Sequence, residues 1–261
     1  MSNTITCILC GQRKPGSLED VIPRWARRHL GITGDVTTRI GDNGQHRVDP
    51  LLSVLLRRVV CEDCNSGWMS QLEEKVKPFL GPMLLNEHPV DLDEEQQRDL
   101  ARWAVMKVLL LELSARQQHV RRRQNVGYEA STAELAWLYA QDEPPPRSRV
   151  WIGAFNSQNT TVVSTRARLF KLDTDDGNDP MTTHLTTLTV GCVLFQVFSI
   201  DYVTADSRNA AQFDDNPPGP FARALSRIWP IERSSVHWPP AFAIGKDVMD
   251  NVQRWSTSPA A

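Results

Sequence analysis

Two pairs of cysteines with the same spacing constrain this chain more than any other feature. Two residues separate the cysteines in each pair, which are Cys7 with Cys10 and Cys61 with Cys64. This gap lets a tight turn direct both sulfur atoms at one ion, and Gly11 tolerates the positive φ that such a turn needs. Four thiolates form a closed tetrahedral site, so the spacing predicts structural Zn²⁺, whose loss would unfold residues 1–80.

Cysteines also occur as redox pairs, as free thiols and in disulfides, but none of these roles accounts for two equal gaps. Cys192, the fifth cysteine, lies in an apolar run where a buried, unreactive thiol is expected. Five cysteines in 261 residues are too few for a disulfide scaffold. Because the N-terminus also lacks the pattern of a signal peptide, we expect a cytoplasmic protein.

Charge is spread unevenly along the chain although the net charge is only -2. Residues 1–60 hold nine Lys or Arg against five Asp or Glu, and residues 98–128 hold seven against two. Residues 172–216 instead carry eight Asp and a single arginine. The total excludes a uniformly basic coat for nucleic acid, whereas the two basic segments fit either a local phosphate-binding face or a solvated helix surface.

Helical spacing dominates the segment that follows the second cysteine pair. Apolar residues recur from Trp68 to Val76, which predicts a helix from Asn65 to Lys77 that Pro78 ends. Upstream, the positions of proline and glycine predict a helix from Pro23 to His29 and loops or a hairpin over 33–50. An apolar run over 51–60 predicts a strand or a short helix.

Three motifs follow one another between residues 7 and 80: CILCG, SLEDVIPRW and CEDCNSGWMSQLE. A cysteine knuckle, an intervening segment and a second pair at a helix start form the arrangement of a treble-clef zinc finger. Together the motifs resemble the HNH, or ββα-metal, endonucleases, in particular the branch with a four-cysteine zinc site. The resemblance implies cleavage of DNA with catalytic Mg²⁺ or Mn²⁺ and a structural zinc, and it places Glu19, Asp20 and Asn65 at the catalytic site.

One position departs from the family pattern. The family has a histidine directly after the acidic residue, where it serves as general base, and this chain has Asp20 after Glu19. A carboxylate of ordinary pKa is a weaker base than imidazole but a good ligand for Mg²⁺. Asp20 is therefore a weak base or a metal ligand, or else the site is degenerate. His29 and His46 are candidate replacement bases, although a lone histidine is more often just exposed.

Two further residues have a functional and an ordinary interpretation. Asn65 matches the central asparagine of the family, which would hold the catalytic metal or orient the loop that carries the base, but asparagine is also a common helix N-cap. Glu73 is a candidate additional oxygen ligand, but its place on the helix favours a solvated side chain. Trp25 and Trp68 are expected to form a small core around the zinc.

The rest of the chain is predicted to be scaffold in an α+β fold. We expect an HNH-like zinc-binding domain over 1–82, a helical region over 83–143, and an antiparallel β-sheet region with C-terminal helices over 147–261. The pattern predicts a buried helix over 94–116, a helix over 131–141, and strands over 149–156, 160–172 and 184–200, the last divided near Gly191. The buried helix is too short and too charged to span a membrane.

The function expected from this sequence is metal-dependent endonuclease activity on DNA, weakened by the loss of the usual histidine. The alternative is a catalytically degenerate zinc-binding module that binds nucleic acid or a protein partner. The sequence leaves the oligomeric state open.

Overall fold

The computed structural model describes the chain over residues 4–20, 22–32, 37–39, 46–48, 55–121, 132–146, 148–156, 163–172, 181–200 and 223–245. Within these ranges the fold combines helices with sheets whose strands pair antiparallel, apart from one parallel pair. This mixed composition with antiparallel sheets agrees with the predicted fold class.

A three-stranded antiparallel sheet forms the N-terminal part. Its strands are β1 (Thr4–Thr6), β2 (Arg13–Asp20) and β5 (Leu55–Cys61), in the order β1-β2-β5. Helix α1 (Arg24–His29) follows Pro23 and stops before Gly31, whose φ is 67°, as the sequence predicted. A hairpin of β3 (Thr37–Arg39) and β4 (His46–Val48) lies in the segment predicted to contain loops or a hairpin.

One long helical segment follows the second cysteine pair. It consists of α2 (Glu62–Cys64), a π-helical turn (Asn65–Met69) and α3 (Ser70–Leu85). We call residues 4–32 and 55–85 the cysteine module.

The prediction that Pro78 ends this helix was wrong, because α3 contains both Pro78 and Pro82. The apolar stripe continues past the prolines, and its buried members are Leu72, Val76, Phe79, Leu80, Met83 and Leu84. Pro78 lies on the exposed side, where water can bond the carbonyl that loses its N–H partner. Burial of the stripe therefore outweighs the local cost of the prolines.

A buried helix occupies the centre of the molecule. After the short strand β6 (Val90–Asp93), α4 (Glu94–Arg121) runs with every residue from Leu100 to Leu110 buried. The Trp103 ring lies 5.6 Å from the ring of Phe195 in the main sheet, measured between centroids. Helix α5 (Thr132–Gln141) then packs on α4. Both predicted helices are confirmed.

The main sheet has six strands. The first four are β7 (Arg149–Asn156), β8 (Val163–Leu172), β9 (Met181–Val190) and β10 (Val193–Ile200). Gly191 and Cys192 form the turn between β9 and β10, which confirms the predicted division. This turn meets the end of α3, where the Cys192 N–H donates to the Leu84 carbonyl at 2.8 Å.

The prediction of C-terminal helices in the region 147–261 was wrong for the described residues 223–245. These residues form β11 (Leu225–Trp229), β12 (Ser235–Trp238) and β13 (Ala243–Gly245). Strands β11 and β13 flank β7, antiparallel and parallel respectively, while β12 pairs with β6. In β12 buried and exposed residues alternate, which is the period of a strand. Residues 246–261 lie outside the described part of the chain.

One hydrophobic cluster contains residues from the cysteine module, from α4 and from the main sheet. The boundaries predicted at 82 and 143–147 stay a prediction. None of the helices in the described ranges is long and apolar enough to cross a membrane.

Candidate metal centre

The two cysteine pairs meet in space although Cys10 and Cys61 are 51 positions apart in the sequence. The four sulfur atoms all lie within 4.8 Å of one another; they belong to Cys7, Cys10, Cys61 and Cys64. The Sγ atoms of Cys10 and Cys61 are 3.9 Å apart, and all four side chains are free thiols. Tetrahedral coordination with metal–sulfur bonds of about 2.3 Å separates sulfur atoms by about 3.8 Å. The four cysteines are therefore positioned to hold a metal ion.

A knuckle between β1 and β2 places the first pair. The Gly11 N–H donates to the Cys7 carbonyl at 2.9 Å, and the Cys7 N–H donates to the Gln12 carbonyl at 3.0 Å. Gly11 has a φ of 68°, the left-handed conformation that glycine adopts without strain. The Ile8 N–H bonds the Val59 carbonyl at 3.0 Å, which ties the knuckle to β5.

The end of β5 and the start of α2 place the second pair. Cys61 is the last residue of β5, and its N–H donates to Cys7 Sγ at 3.3 Å. Cys64 lies one turn into the helical segment and is buried. Strand and helix thus present their sulfur atoms to the knuckle from the opposite side.

The surroundings shift the pKa values of the thiols in opposite directions. Burial alone would raise the pKa of Cys7, but bonds from the backbone N–H groups of Cys10, Cys61 and Leu9 outweigh it and lower the pKa to about 7. Burial raises the pKa of Cys61. Burial and the neighbouring thiols of Cys61 and Cys10 raise the pKa of Cys64. A cation among the four sulfur atoms would favour all four thiolates and remove the competition between them.

The negative charge of the cysteine thiolates raises the pKa values of two neighbouring side chains. Lys14 binds Asp63 at 2.8 Å, and this bond, with the charges of Asp63, Cys10 and Cys61, raises the pKa of Lys14. Tyr139 of α5 is influenced from further along the chain, since the charge on Cys64 raises its pKa. The Tyr139 ring also packs edge-on against Trp68, with centroids 5.8 Å apart. The cysteine module therefore contacts α5 beside the metal centre.

Asn65 joins the helical segment to β2. Its Nδ2 donates to Ser17 Oγ and to the Leu18 carbonyl, both at 3.1 Å, and the Ser17 hydroxyl donates to the Val60 carbonyl at 3.2 Å. These bonds bridge an irregularity in the pairing of β2 with β5, between Gly16 and Leu18. Asn65 is not the helix N-cap, since Cys61 occupies that position. It holds the strand end that carries Asp20.

Asp20 lies at the end of β2 and is bound by α1. Arg24 Nε donates to its Oδ2 at 2.8 Å, and Arg27 Nη2 lies 3.2 Å from its Oδ1. Both carboxylate oxygen atoms thus face guanidinium groups. Glu19 precedes Asp20 in the same strand, paired with Leu56, and its side chain lies outside the described part.

Two of the additional candidates bind partners other than Asp20. Glu73 binds the Nζ of Lys107 at 2.7 Å, so it is not a solvated helix residue. His29 is the last residue of α1, and its Nε2 lies 3.5 Å from a carboxylate oxygen of Glu87. His46 is placed in β4, and its side chain lies outside the described part.

Sequence patterns missed a charged network between the cysteine module and the helices behind it. The Lys107 side chain is 0% exposed, and its partner Glu73 is 18% exposed. Arg102 bonds Asp99 at 2.8 Å, bonds Asp142 as well, and lies 5.8 Å from the centre of the Trp68 ring. A lysine and an arginine in the otherwise apolar stretch of α4 from Leu100 to Leu110 were the signal for buried ion pairs.

Comparison with known proteins does not assign the chain to a family. No protein-family model matches the chain, and neither the curated proteins nor the solved structures give a significant match.

Proposed function

We propose that the cysteine module is an HNH-like treble-clef zinc finger and that the chain is a metal-dependent endonuclease acting on DNA. The observation that carries the proposal is the bond from Asn65 to the Leu18 carbonyl, two residues before Asp20. It joins two antiparallel strands and a helix beside a four-cysteine centre. An asparagine that orients the strand end of the catalytic carboxylate fits one of the two roles that the family resemblance implies.

Zinc is the metal that this donor set favours. Thiolate ligands suit Zn²⁺, and four of them close its tetrahedral shell, which leaves no position for a reacting water. The proposed zinc is therefore structural. Cys7, Cys10, Cys61 and Cys64 would hold it, and any hydrolysis would take place at the end of β2.

The chemistry requires a proton acceptor near the attacking water. Asp20 is the candidate, with Glu19 beside it, and Asn65 keeps that strand end in place. A divalent ion such as Mg²⁺ or Mn²⁺, when bound, polarises the phosphate and stabilises the leaving oxygen. Because the two arginines compete for the Asp20 carboxylate, we expect slow cleavage.

A second candidate function follows from those ion pairs. If Arg24 and Arg27 keep Asp20 from both water and metal, the module binds DNA without cleaving it. This is the catalytically degenerate alternative, and it needs the same zinc and the same fold. A protein partner in place of DNA belongs to this alternative too.

Cleavage of supercoiled plasmid with Mg²⁺ or Mn²⁺ distinguishes the two functions. The endonuclease proposal predicts slow nicking by the wild type and none by Asn65→Ala, while the control Asn156→Ala, at the exposed end of β7, nicks normally. Asp20→His should accelerate nicking, since general-base assistance contributes roughly 10² to 10⁴-fold. Zinc content measured on each variant shows that the module is intact.

The endonuclease proposal fails if wild type and Asp20→His are both inert on supercoiled, linear, branched and single-stranded DNA and on RNA. A mobility shift with the same DNA then tests the binding alternative. Cleavage at ordinary enzyme rates that Asp20→Asn leaves unchanged would assign the base to another residue, with His29 and His46 as the candidates.

A further inference from the structure

Helix α1 presents a set of positive charges around Asp20. Arg24 and Arg27 each contact one oxygen atom of the Asp20 carboxylate, at 2.8 Å and 3.2 Å. Arg28 follows on the exposed surface of the same helix, and the first turn of α1 contains no acidic residue. Two guanidinium groups thus contact one carboxylate, and these three side chains together keep an excess of positive charge.

The way in which Arg24 is held leaves its hydrogen-bonding fork available. Only Nε of Arg24 bonds to Asp20, and the side chain is 78% exposed. A guanidinium fixed through Nε still presents Nη1 and Nη2 at its far end. Two parallel N–H donors of this kind match two oxygen atoms of a phosphate group. Asp20 therefore orients Arg24 without saturating it.

An exposed apolar residue lies on the face of β2 that carries Asp20, the anchor of this fork. Leu18 and Asp20 are two residues apart in a regularly paired stretch of β2, so their side chains project from the same face. Leu18 is 54% exposed. An exposed leucine on the strand face that carries the anchor of Arg24 suits a ligand that joins a phosphate to the carbon atoms of a sugar, as the sugar-phosphate backbone does. A free phosphate ion would gain nothing from it.

We propose that Arg24 and Arg27, anchored by Asp20, form a binding site for the phosphodiester backbone of duplex DNA. The proposal rests on the action on DNA proposed above, and it names the surface and the chemical group that make the contact. Contacts from guanidinium to phosphate fix the register of a protein on DNA without selecting a sequence. The site therefore binds duplexes of different sequence with similar affinity.

The salt dependence of DNA binding tests the site. The dissociation constant of a short fluorescein-labelled duplex is measured by fluorescence anisotropy over a series of NaCl concentrations, without Mg²⁺ or Mn²⁺. For Arg24→Gln, the slope of log affinity against log salt should become shallower by about 0.9, as expected for the loss of one phosphate contact. If the curves converge near 1 M salt, the variant binds about eightfold more weakly at ~0.1 M.

Two further variants make the test specific. Arg24→Lys keeps the charge and should restore most of the slope, while its affinity stays below that of the wild type because lysine lacks the fork. Arg223→Gln removes an exposed arginine outside the cysteine module and should match the wild type. Zinc content confirms that each variant is folded.

Each contrary outcome has a distinct meaning. If the wild type binds or cleaves DNA and Arg24→Gln binds with unchanged slope and affinity, this inference is wrong and the proposed function stands. If the wild type binds no DNA at low salt, both fail. Tighter binding of an RNA duplex than of a DNA duplex of the same sequence would overturn the choice of DNA.

Discussion

The cysteine module and the main sheet maintain their interiors by different means. In β10 every residue from Val193 to Phe198 is buried, and Trp103 of α4 packs against its Phe195. Among the described side chains from Thr4 to Ile32, by contrast, the buried ones other than cysteine are Leu9, Ile22, Pro23, Ala26 and Leu30. So small an apolar interior rarely holds a unit together without a metal or a disulfide. We therefore expect the N-terminal part to depend on its proposed metal, whereas the main sheet depends on apolar burial.

Removal of one cysteine ligand should have the largest effect. We predict that Cys64→Ser reduces zinc from about one equivalent per chain to a small fraction and unfolds the start of the cysteine module, because metal binding supplies folding free energy of about 10–16 kcal/mol in small zinc fingers. Elemental analysis by mass spectrometry measures the zinc, and circular dichroism follows the fold. Wild-type protein that is free of zinc and melts normally would contradict this dependence.

The second largest effect is expected at the junction between the cysteine module and α4. Lys107 in α4 is completely buried against Glu73 of α3, so Lys107→Met should lower the free energy of unfolding by about 3 kcal/mol. The matched control is Lys77→Met, which removes the exposed partner of Glu74 and should cost less than about 1 kcal/mol. Urea unfolding of the zinc-loaded proteins measures both. Equal costs would show that burial does not distinguish the two pairs.

A smaller effect is expected at the turn that docks the sheet on α3. A Cβ atom at Gly191 would lie 2.2 Å from the Leu84 carbonyl oxygen and 2.7 Å from Leu30 Cδ2, and the φ of Gly191 is 57°. Gly191→Ala should therefore destabilise by about 1–3 kcal/mol. Gly81→Ala makes the same change inside α3 with nothing within 4 Å, and it should stabilise by about 0.5–1 kcal/mol. Thermal melts would reveal the opposite signs, and a neutral Gly191→Ala would argue against tight docking.

The smallest effect concerns the fifth cysteine. Cys192 lies in the docking turn, and burial raises the pKa of its thiol. We expect Cys192→Ser to leave the zinc content unchanged, because the four ligands of the proposed site all come from the cysteine module. A loss of stoichiometric zinc in a folded Cys192→Ser variant would show that the ligand set is wrong.

Much of this architecture could be predicted because local patterns encode it. The equal spacing of the two pairs predicted that Cys7, Cys10, Cys61 and Cys64 lie together, and a run of Val and aromatic residues predicted the bounds of β7 at Arg149 and Asn156. Gly191 indicated the hairpin of the main sheet. These signals depend on neighbours in sequence, which a single chain displays directly.

The errors and omissions arise from tertiary contacts that local patterns do not specify. Pro78 obeys the local rule for ending a helix, but burial of the stripe on α3 overrides that rule. The partner of Glu73 lies 34 residues away. The arginines that bind Asp20 are only four and seven residues further along the chain, but Asp20 ends a strand and the arginines lie on the next helix, so the contact depends on how α1 is placed against β2. The structure therefore changes the interpretation of Asp20, from an isolated carboxylate to an anchored one.

Hydrogen exchange followed by mass spectrometry, with and without chelation of the metal, tests the contrast between module and scaffold most directly. After chelation, peptides that cover β1, β2, α1 and β5 should exchange rapidly, while those from β7, β10 and residues 100–110 of α4 should keep their protection. Unchanged protection in the cysteine module, or an equal loss throughout the described part of the chain, would contradict the dependence of the module on its metal.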